Sequence, residues 1–413
     1  VTAVAAMAPQ RLLSWSVFAA MLAAAGLPIY INAPKHYIDT HGVSLAAMGA
    51  VLFALRLIDV VQDPLLGWLA ARTLRRRRAM VAAGAGVMAF AMAMLFALPP
   101  VGPPLLWFAT ALALLFSAFS FLSICFYAEG VAKATRLGMN GYLRLAGWRE
   151  AGSLAGVCIA AVAPVALAGM TGQPLAAFAL GFAIICLLAV TGMRGEWGWG
   201  AGAAPVGFRA VLADRWARRF LLLGFVNGAP VAVTSTLFLF FVESALDLPG
   251  AEGPLLLLFF LSAAVTAPLW SRAARLHGAK RMLMAGMVLS IVTFAFALRL
   301  GPGDLIPFAV VCVASGAALA ADMVLMPAIF ARRLEFRPGG EALAFGLWSF
   351  ASKASAAFAA ALLLPVLDRG GFVSGADNTA QAISLLTLLY AGLPCVLKLI
   401  AIAMLATIRI EED

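Results

Sequence analysis

Three ionisable residues, Arg56, Asp59 and Asp63, stand in a segment that is otherwise apolar. On a helix at about 100° per residue, positions i, i+3 and i+7 fall within roughly 60° of one another, so the three form one polar stripe. A charge at mid-bilayer costs at least about 2.5 kcal/mol even on lenient scales, so such a stripe is expected to line a cavity rather than face lipid. Two carboxylates one turn apart cannot both stay ionised in a low-dielectric cavity without a cation nearby. They can bind a sodium ion, or share and release a proton. Arg56 or Lys353 could instead neutralise one of them, which would make the group a buried structural ion pair. Lys353 stands alone among small residues in FGLWSFASKASAAFAA and must face the cavity or find a carboxylate.

The elements that position these groups follow from composition. Of 413 residues, 64% are hydrophobic and 12% charged, which a polytopic helical membrane protein needs and a soluble domain does not. The formal charge of +10 sits in short clusters between apolar runs, the pattern of orientation signals, and points to the lipid bilayer and not to nucleic acid. Five cysteines, each isolated in an apolar run, read as core packing. The run from about Leu12 reads as a first membrane helix and not as a cleaved signal.

Twelve spans are expected, near 11–36, 44–72, 78–98, 104–129, 142–168, 174–193, 218–245, 252–274, 281–300, 304–331, 342–367 and 379–408. An even count puts both termini on one side. Arg11, Arg72, Arg75 to Arg78, Lys133, Arg136, Arg194, Arg209, Arg215, Arg272, Lys280, Arg332, Arg333, Arg337 and Arg409 fall on that side, and the other has only Lys35, Arg299 and Arg369. The asymmetry predicts cytoplasmic termini in a multi-pass protein of the cell (inner) membrane. The Gly-rich, charged stretch 195–216 interrupts the apolar pattern and reads as a cytoplasmic linker between a six-helix bundle at 1–194 and another at 217–413. A short repeat agrees: Pro64-Leu65-Leu66-Gly67-Trp68 leads to Arg72, and Pro268-Leu269-Trp270 leads to Arg272. Two such halves imply an all-α, pseudo-symmetric transporter with its site between them.

Other charges fall deep in spans. Arg149 and Glu150 are adjacent and point about 100° apart on a helix, so they are not expected to pair with each other. Arg149 could serve as an anion or hydroxyl donor, or clamp two helices. Asp322 in ALAADMVLMP is a specificity feature or a partner for Lys353. Glu129 and Glu341, at helix ends, are expected to be solvated. Glu243 lies near the outer end of its span, and His36, His41 and His277 fall in or beside loops.

The run Arg56-x-x-Asp59-x-x-x-Asp63-Pro64-x-x-Gly67 resembles the helix II signature of the melibiose permease family, the glycoside–pentoside–hexuronide:cation symporters of the major facilitator superfamily. The resemblance implies that Asp59 and Asp63 are the core of a coupling-cation site, with proton or sodium as the ion and no other cofactor. Arg149 in WREAGSLAG is similar to the family's helix V arginine near the substrate, Lys353 to its helix XI lysine, and Leu389-Tyr390-Ala391-Gly392-Leu393-Pro394 to the start of its helix XII. Gly67-x-x-x-Ala71-Arg72 is similar to the superfamily's loop 2–3 motif, with Ala71 where that motif has an acid. Ser123 stands where sodium-binding members carry a helix IV aspartate, and no acid lies between Arg11 and Lys35, where sugar-binding members carry one.

These features predict a cation-coupled symporter, a monomer, moving a glycoside or sugar acid. Related sodium-dependent lysophospholipid transporters share the helix II aspartates and helix XI lysine. An amphiphile is therefore the alternative substrate, its head on Lys353 or Arg149. A scaffold or receptor is the rival class. An enzyme is not expected, because the chain has no zinc-ligand pair, nucleophile elbow or cofactor loop.

Overall fold

The computed structural model describes residues 12–26, 33–198, 207–335, 339–373 and 377–408. Arg11, Arg337 and Arg409 of the charge pattern lie outside these residues, as does the side chain of Arg56. Every regular element is helical: α1 (Leu12–Ala24), α2 (Ala33–His41), α3 (Leu45–Arg72), α4 (Arg77–Phe96), α5 (Pro104–Arg136), α6 (Gly141–Ala168), α7 (Pro174–Gly192), α8 (Phe208–Ala213), α9 (Arg215–Phe240), α10 (Glu252–His277), α11 (Ala279–Ala297), α12 (Leu305–Leu334), α13 (Glu341–Arg369), α14 (Ala380–Thr387) and α15 (Leu393–Thr407). The last two join through a π-helical turn, Leu388–Gly392, into one span.

Ten spans among the described residues are long and apolar enough to cross a membrane. α3 has 28 residues, about 42 Å at 1.5 Å each, enough to cross while carrying its charged stripe. The first expected span, 11–36, is divided: α1 ends at Ala24 and α2 begins at Ala33, with residues 27–32 outside the described ones. Helix ends follow local chemistry. Ser44 caps α3 and Asp214 caps α9 through side-chain oxygens on backbone N–H groups, and Pro104 and Pro174 open α5 and α7 at positions whose N–H has no helical partner. Leu180, Leu187, Val265, Leu269 and Val292 are all more than half exposed, which only a lipid surround tolerates over whole helix faces. The linker region is partly helical: α8 lies within it, and residues 199–206 are outside the described set.

Buried apolar residues form two clusters. The larger runs through α1 to α7 and on into the arginine-rich ends of α9 to α13. The smaller belongs to the opposite ends of α9 to α14. Helices 1–7 and 9–15 are therefore packed together at the arginine-rich end and separated at the other. Two glycines make the closure possible. A Cβ on Gly67 of α3 would lie 2.9 Å from the Ala342 carbonyl oxygen, and one on Gly346 of α13 would lie 2.8 Å from that of Asp63. Nearby, Ser271 Oγ of α10 donates to Leu143 O of α6 at 2.6 Å, and Tyr142 donates to Glu335 at 2.9 Å.

The same end corrects the expectation for its acids. Glu129 is buried (3% exposed) and Glu341 is partly buried, and both line a small cavity with Ala71 and Arg77. Arg77 is itself buried and donates to Ala70 O at 2.8 Å. Side chains of α5 and α13 thus bring carboxylates to the place where residue 71 supplies none. Overpacking this contact should open it, since forcing methyl groups into a tight site costs about 1–3 kcal/mol and 1.4 kcal/mol is a tenfold change in population. Gly346→Val is expected to speed thiol labelling of a cysteine placed at Ala342, 3% exposed, by about tenfold. Unchanged labelling would show that the glycine contact does not hold this end shut.

Candidate functional site

Asp59 and Asp63 of α3 meet α13 in the middle of both helices. Lys353 Nζ lies 2.7 Å from Asp59 Oδ1, 3.0 Å from Asp63 and 2.6 Å from Ser120 Oγ of α5. The ammonium thus spends its three donors on oxygens of two other helices. Ser349, one turn before Lys353, donates to Asp63 Oδ2 at 2.5 Å. Gln62 donates to Asp59 Oδ1 at 3.0 Å and accepts from Ser117 at 2.8 Å. Asp63 is fully buried and Asp59 is 5% exposed. Two carboxylates share one ammonium here, so by formal charge one proton or one monovalent cation balances the cluster.

Ser123 is not part of this group: among the described residues it makes no bond to Asp59, Asp63 or Lys353, and Ser120 and Ser117 supply the α5 hydroxyls instead. The register of α5 against α3 is set by helix packing and puts the polar face one turn earlier than the resemblance implies. The spacing of Ser117 and Ser120, three apart in an apolar run, was the available signal.

Arg149 and Glu150 do pair, Nε to Oε1 at 3.0 Å, contrary to expectation. Two long side chains can turn toward each other across 100° when both are buried, here at 5% and 2% exposure. The Arg149 guanidinium also stacks over Tyr127 at 4.0 Å, and the Tyr127 hydroxyl approaches Glu150 at 3.4 Å. Lys353 spends its donors within the cluster, whereas Arg149 uses Nε on Glu150 and leaves Nη2 buried without a hydrogen-bond partner.

Asp322 does not meet Lys353. Its Oδ2 takes a bond from Lys398 of α15 at 2.5 Å, and Lys398 also donates to Asn227 of α9 at 2.7 Å. Lys398 is 1% exposed. A lysine in the apolar run CVLKLIAIAML was the sequence signal for this second pair.

A cavity of about 1110 Å³ is walled by α3, α5, α6, α9, α12 and α13 and is lined by Glu150 and Asp322 of the two ion pairs but not by Asp59, Asp63 or Lys353. Its polar lining includes Tyr127, Glu150, Asn227 and Asp322, and most of the rest is apolar, with Trp348, Phe53 and Phe358. The five cysteines are free thiols, with Cys125, Cys186 and Cys312 buried and Cys158 and Cys395 partly buried. No group of three or more metal-ligating side chains occurs among the described residues.

A bundle of membrane-crossing helices with a mid-span charged cluster and a central cavity defines a polytopic transporter of the major facilitator fold. The family profile described as MFS/sugar transport protein matches residues 14–412, and the chain belongs to that family, which includes the melibiose permease group. No curated protein sequence matches it significantly. Among solved structures it is similar to a bacterial homologue of the iron transporter ferroportin in an outward-facing state, with a TM-score of 0.71, 14% identity, and 96% of this chain and 98% of that one covered. It is also similar to the human organic anion transporter MFSD10 (TETRAN), with a TM-score of 0.64, 16% identity, and 97% and 100% covered. At these identities the likeness is one of fold. The chain is a non-enzymatic member of a transporter family, and the fold expected from its sequence is the one observed.

Proposed function

We propose that this protein is a cation-coupled secondary transporter that moves a small organic solute across the inner membrane by alternating access. The observation that carries the reading is Lys353, which ties α13 to Asp59 and Asp63 of α3 across the interface between the two sets of helices. Adding one positive charge to the cluster neutralises it and loosens the hold of Lys353. That couples ion binding to the contact that must break for the halves to move. The six-helix units are 1–194 and 217–413, joined by 195–216. The coupling residues are Asp59, Asp63 and Lys353, with Ser120 as a supporting hydroxyl. A proton suits this geometry better than sodium. The ammonium already sits among the oxygens a sodium ion would need, whereas a proton displaces nothing.

With the arginine-rich end in the cytoplasm, the closed end faces inward and the separated end outward, so this conformer is outward-facing. Thiol labelling of intact cells tests the orientation. An impermeant reagent should reach a cysteine at Val101 and miss one at Met139, which are 77% and 82% exposed at opposite ends. The reverse pattern would overturn the orientation. Transport itself is tested in proteoliposomes loaded with a pH-sensitive dye: solute added downhill should carry protons with it. Uptake that needs sodium and ignores a pH gradient would replace the proton by sodium.

For the solute, the cavity favours an amphiphile over a glycoside or sugar acid. Its wall is mainly apolar, with Tyr127, Glu150, Asn227, Ser235, Thr236, Asp322 and Ser352 as its polar side chains, and Lys353 and Arg149, the expected anchors for an acid, do not line it and are engaged with carboxylates.

A further inference from the structure

The head group of that solute can be read from which ends of the buried ion pairs meet the cavity. Glu150 and Asp322 line it, while their cations, Arg149 and Lys398, do not. The lining side chains that are described include no lysine or arginine; the side chain of Arg56, between the lining residues Phe53 and Leu57, lies outside the described set. Each pair therefore presents its negative end to the bound molecule. The Asp322 carboxylate is nine-tenths buried, and only Oδ2 is used by Lys398; Oδ1 has no hydrogen-bond partner. That oxygen has almost no exposed surface, so a ligand donor reaches it only when the carboxylate turns toward the cavity that Asp322 lines, and the bond then removes the cost of leaving it unbonded. Trp348, Tyr127 and Phe358 add aromatic faces, which attract a cation and cover an apolar body. A carboxylate or phosphate head would instead face two carboxylates.

We propose that the cavity takes a protonated amine on an apolar, ring-bearing body, with the ammonium donating to Asp322 Oδ1. The proposal rests on the reading of this cavity as the solute site and names the chemical class of the solute. It differs from the anionic or zwitterionic head that the sequence suggested, because the two cations on which that expectation rested are turned to carboxylates.

The test uses the full chain in lipid nanodiscs, with empty nanodiscs as the blank for partition into lipid. Three probes share one body and differ in the head: phenylbutylamine, phenylbutanol and phenylbutyrate. Quenching of tryptophan fluorescence reads binding, since Trp348 lines the cavity. The amine is expected to bind at least about tenfold more tightly than the butyrate, with the alcohol between, because a charge-assisted bond exceeds a neutral one by about that much. Equal affinities, or tighter binding of the butyrate, overturn the proposal on the unaltered protein. Asp322→Asn alone would leave Lys398 buried without a counter-charge, so the variant is Asp322→Asn with Lys398→Met. It should lose about tenfold for the amine and little for the alcohol. Full amine affinity in that folded variant, or loss of the preference in Glu150→Gln only, overturns the assignment to Asp322. Binding in the expected order without uptake of the amine into liposomes upholds the site and overturns the transport reading.

Discussion

Lys353→Ala is expected to destabilise the protein by about 3–5 kcal/mol and to abolish accumulation of solute, because it leaves two buried carboxylates without their shared cation. Asp59 and Asp63 both meet Nζ within 3.0 Å, and Asp63 is fully buried, so water entering where the 18%-exposed lysine stood replaces its hydrogen bonds but not its charge. With the cation removed the two carboxylates cannot both stay ionised, so one must take up a proton or the fold must loosen. Adding Asp63→Asn removes that second carboxylate. The double variant should therefore recover most of the lost melting temperature but none of the accumulation. That separation matters because Lys353 could be read as a simple structural tie. If the double variant recovers transport along with stability, the lysine holds the fold and nothing more. Lys353→Arg should restore stability only in part. A planar fork cannot place donors on Asp59, Asp63 and Ser120 as a point charge does.

Asp63→Asn alone makes the opposite change. The cluster becomes neutral in every state, as if permanently loaded with its ion. Downhill exchange should persist, and uphill accumulation should vanish. A gradient of one pH unit is worth about 1.4 kcal/mol, which is about tenfold accumulation for one-to-one coupling. The expected result in proteoliposomes is a fall from about that ratio to unity. Asp63 also accepts from Ser349 of α13, so the amide must be oriented to keep that bond, and the folded state should tolerate it. If Asp59→Asn and Asp63→Asn both concentrate solute normally, the aspartates are structural and the coupling site is elsewhere. The two experiments together distinguish a charge that must be neutralised from a charge that must be present.

The residues that make the cluster were legible before the fold was. Asp59 and Asp63 are four apart in an apolar run, and Lys353 is alone in another, so cost in lipid already required them to be inside and near opposite charge. Not every helix end was legible: the first span is divided into α1 and α2, and α5 continues to Arg136. The approximate spans were legible from long apolar runs bounded by basic clusters. These are local properties of the chain, set by burial and backbone chemistry.

What only the tertiary structure decided is which partner each buried charge takes. Lys353 could have met Asp322; helix packing gives Asp322 to Lys398 and Asn227 instead. Arg149 and Glu150 diverge on an ideal helix, yet burial leaves each the other's nearest counter-charge. Ser120 replaces Ser123 because register between two helices depends on side-chain volumes along the whole contact. Glu129, placed at a helix end by sequence, is buried because α5 continues to Arg136 and packs there beside Arg77. Sequence spacing determines which face of a helix a charge is on. Pairing is a relation between faces of different helices, and it is fixed only when the glycine contact of α3 with α13 and the serine bond of α10 to α6 close one end of the molecule and leave the cavity open at the other.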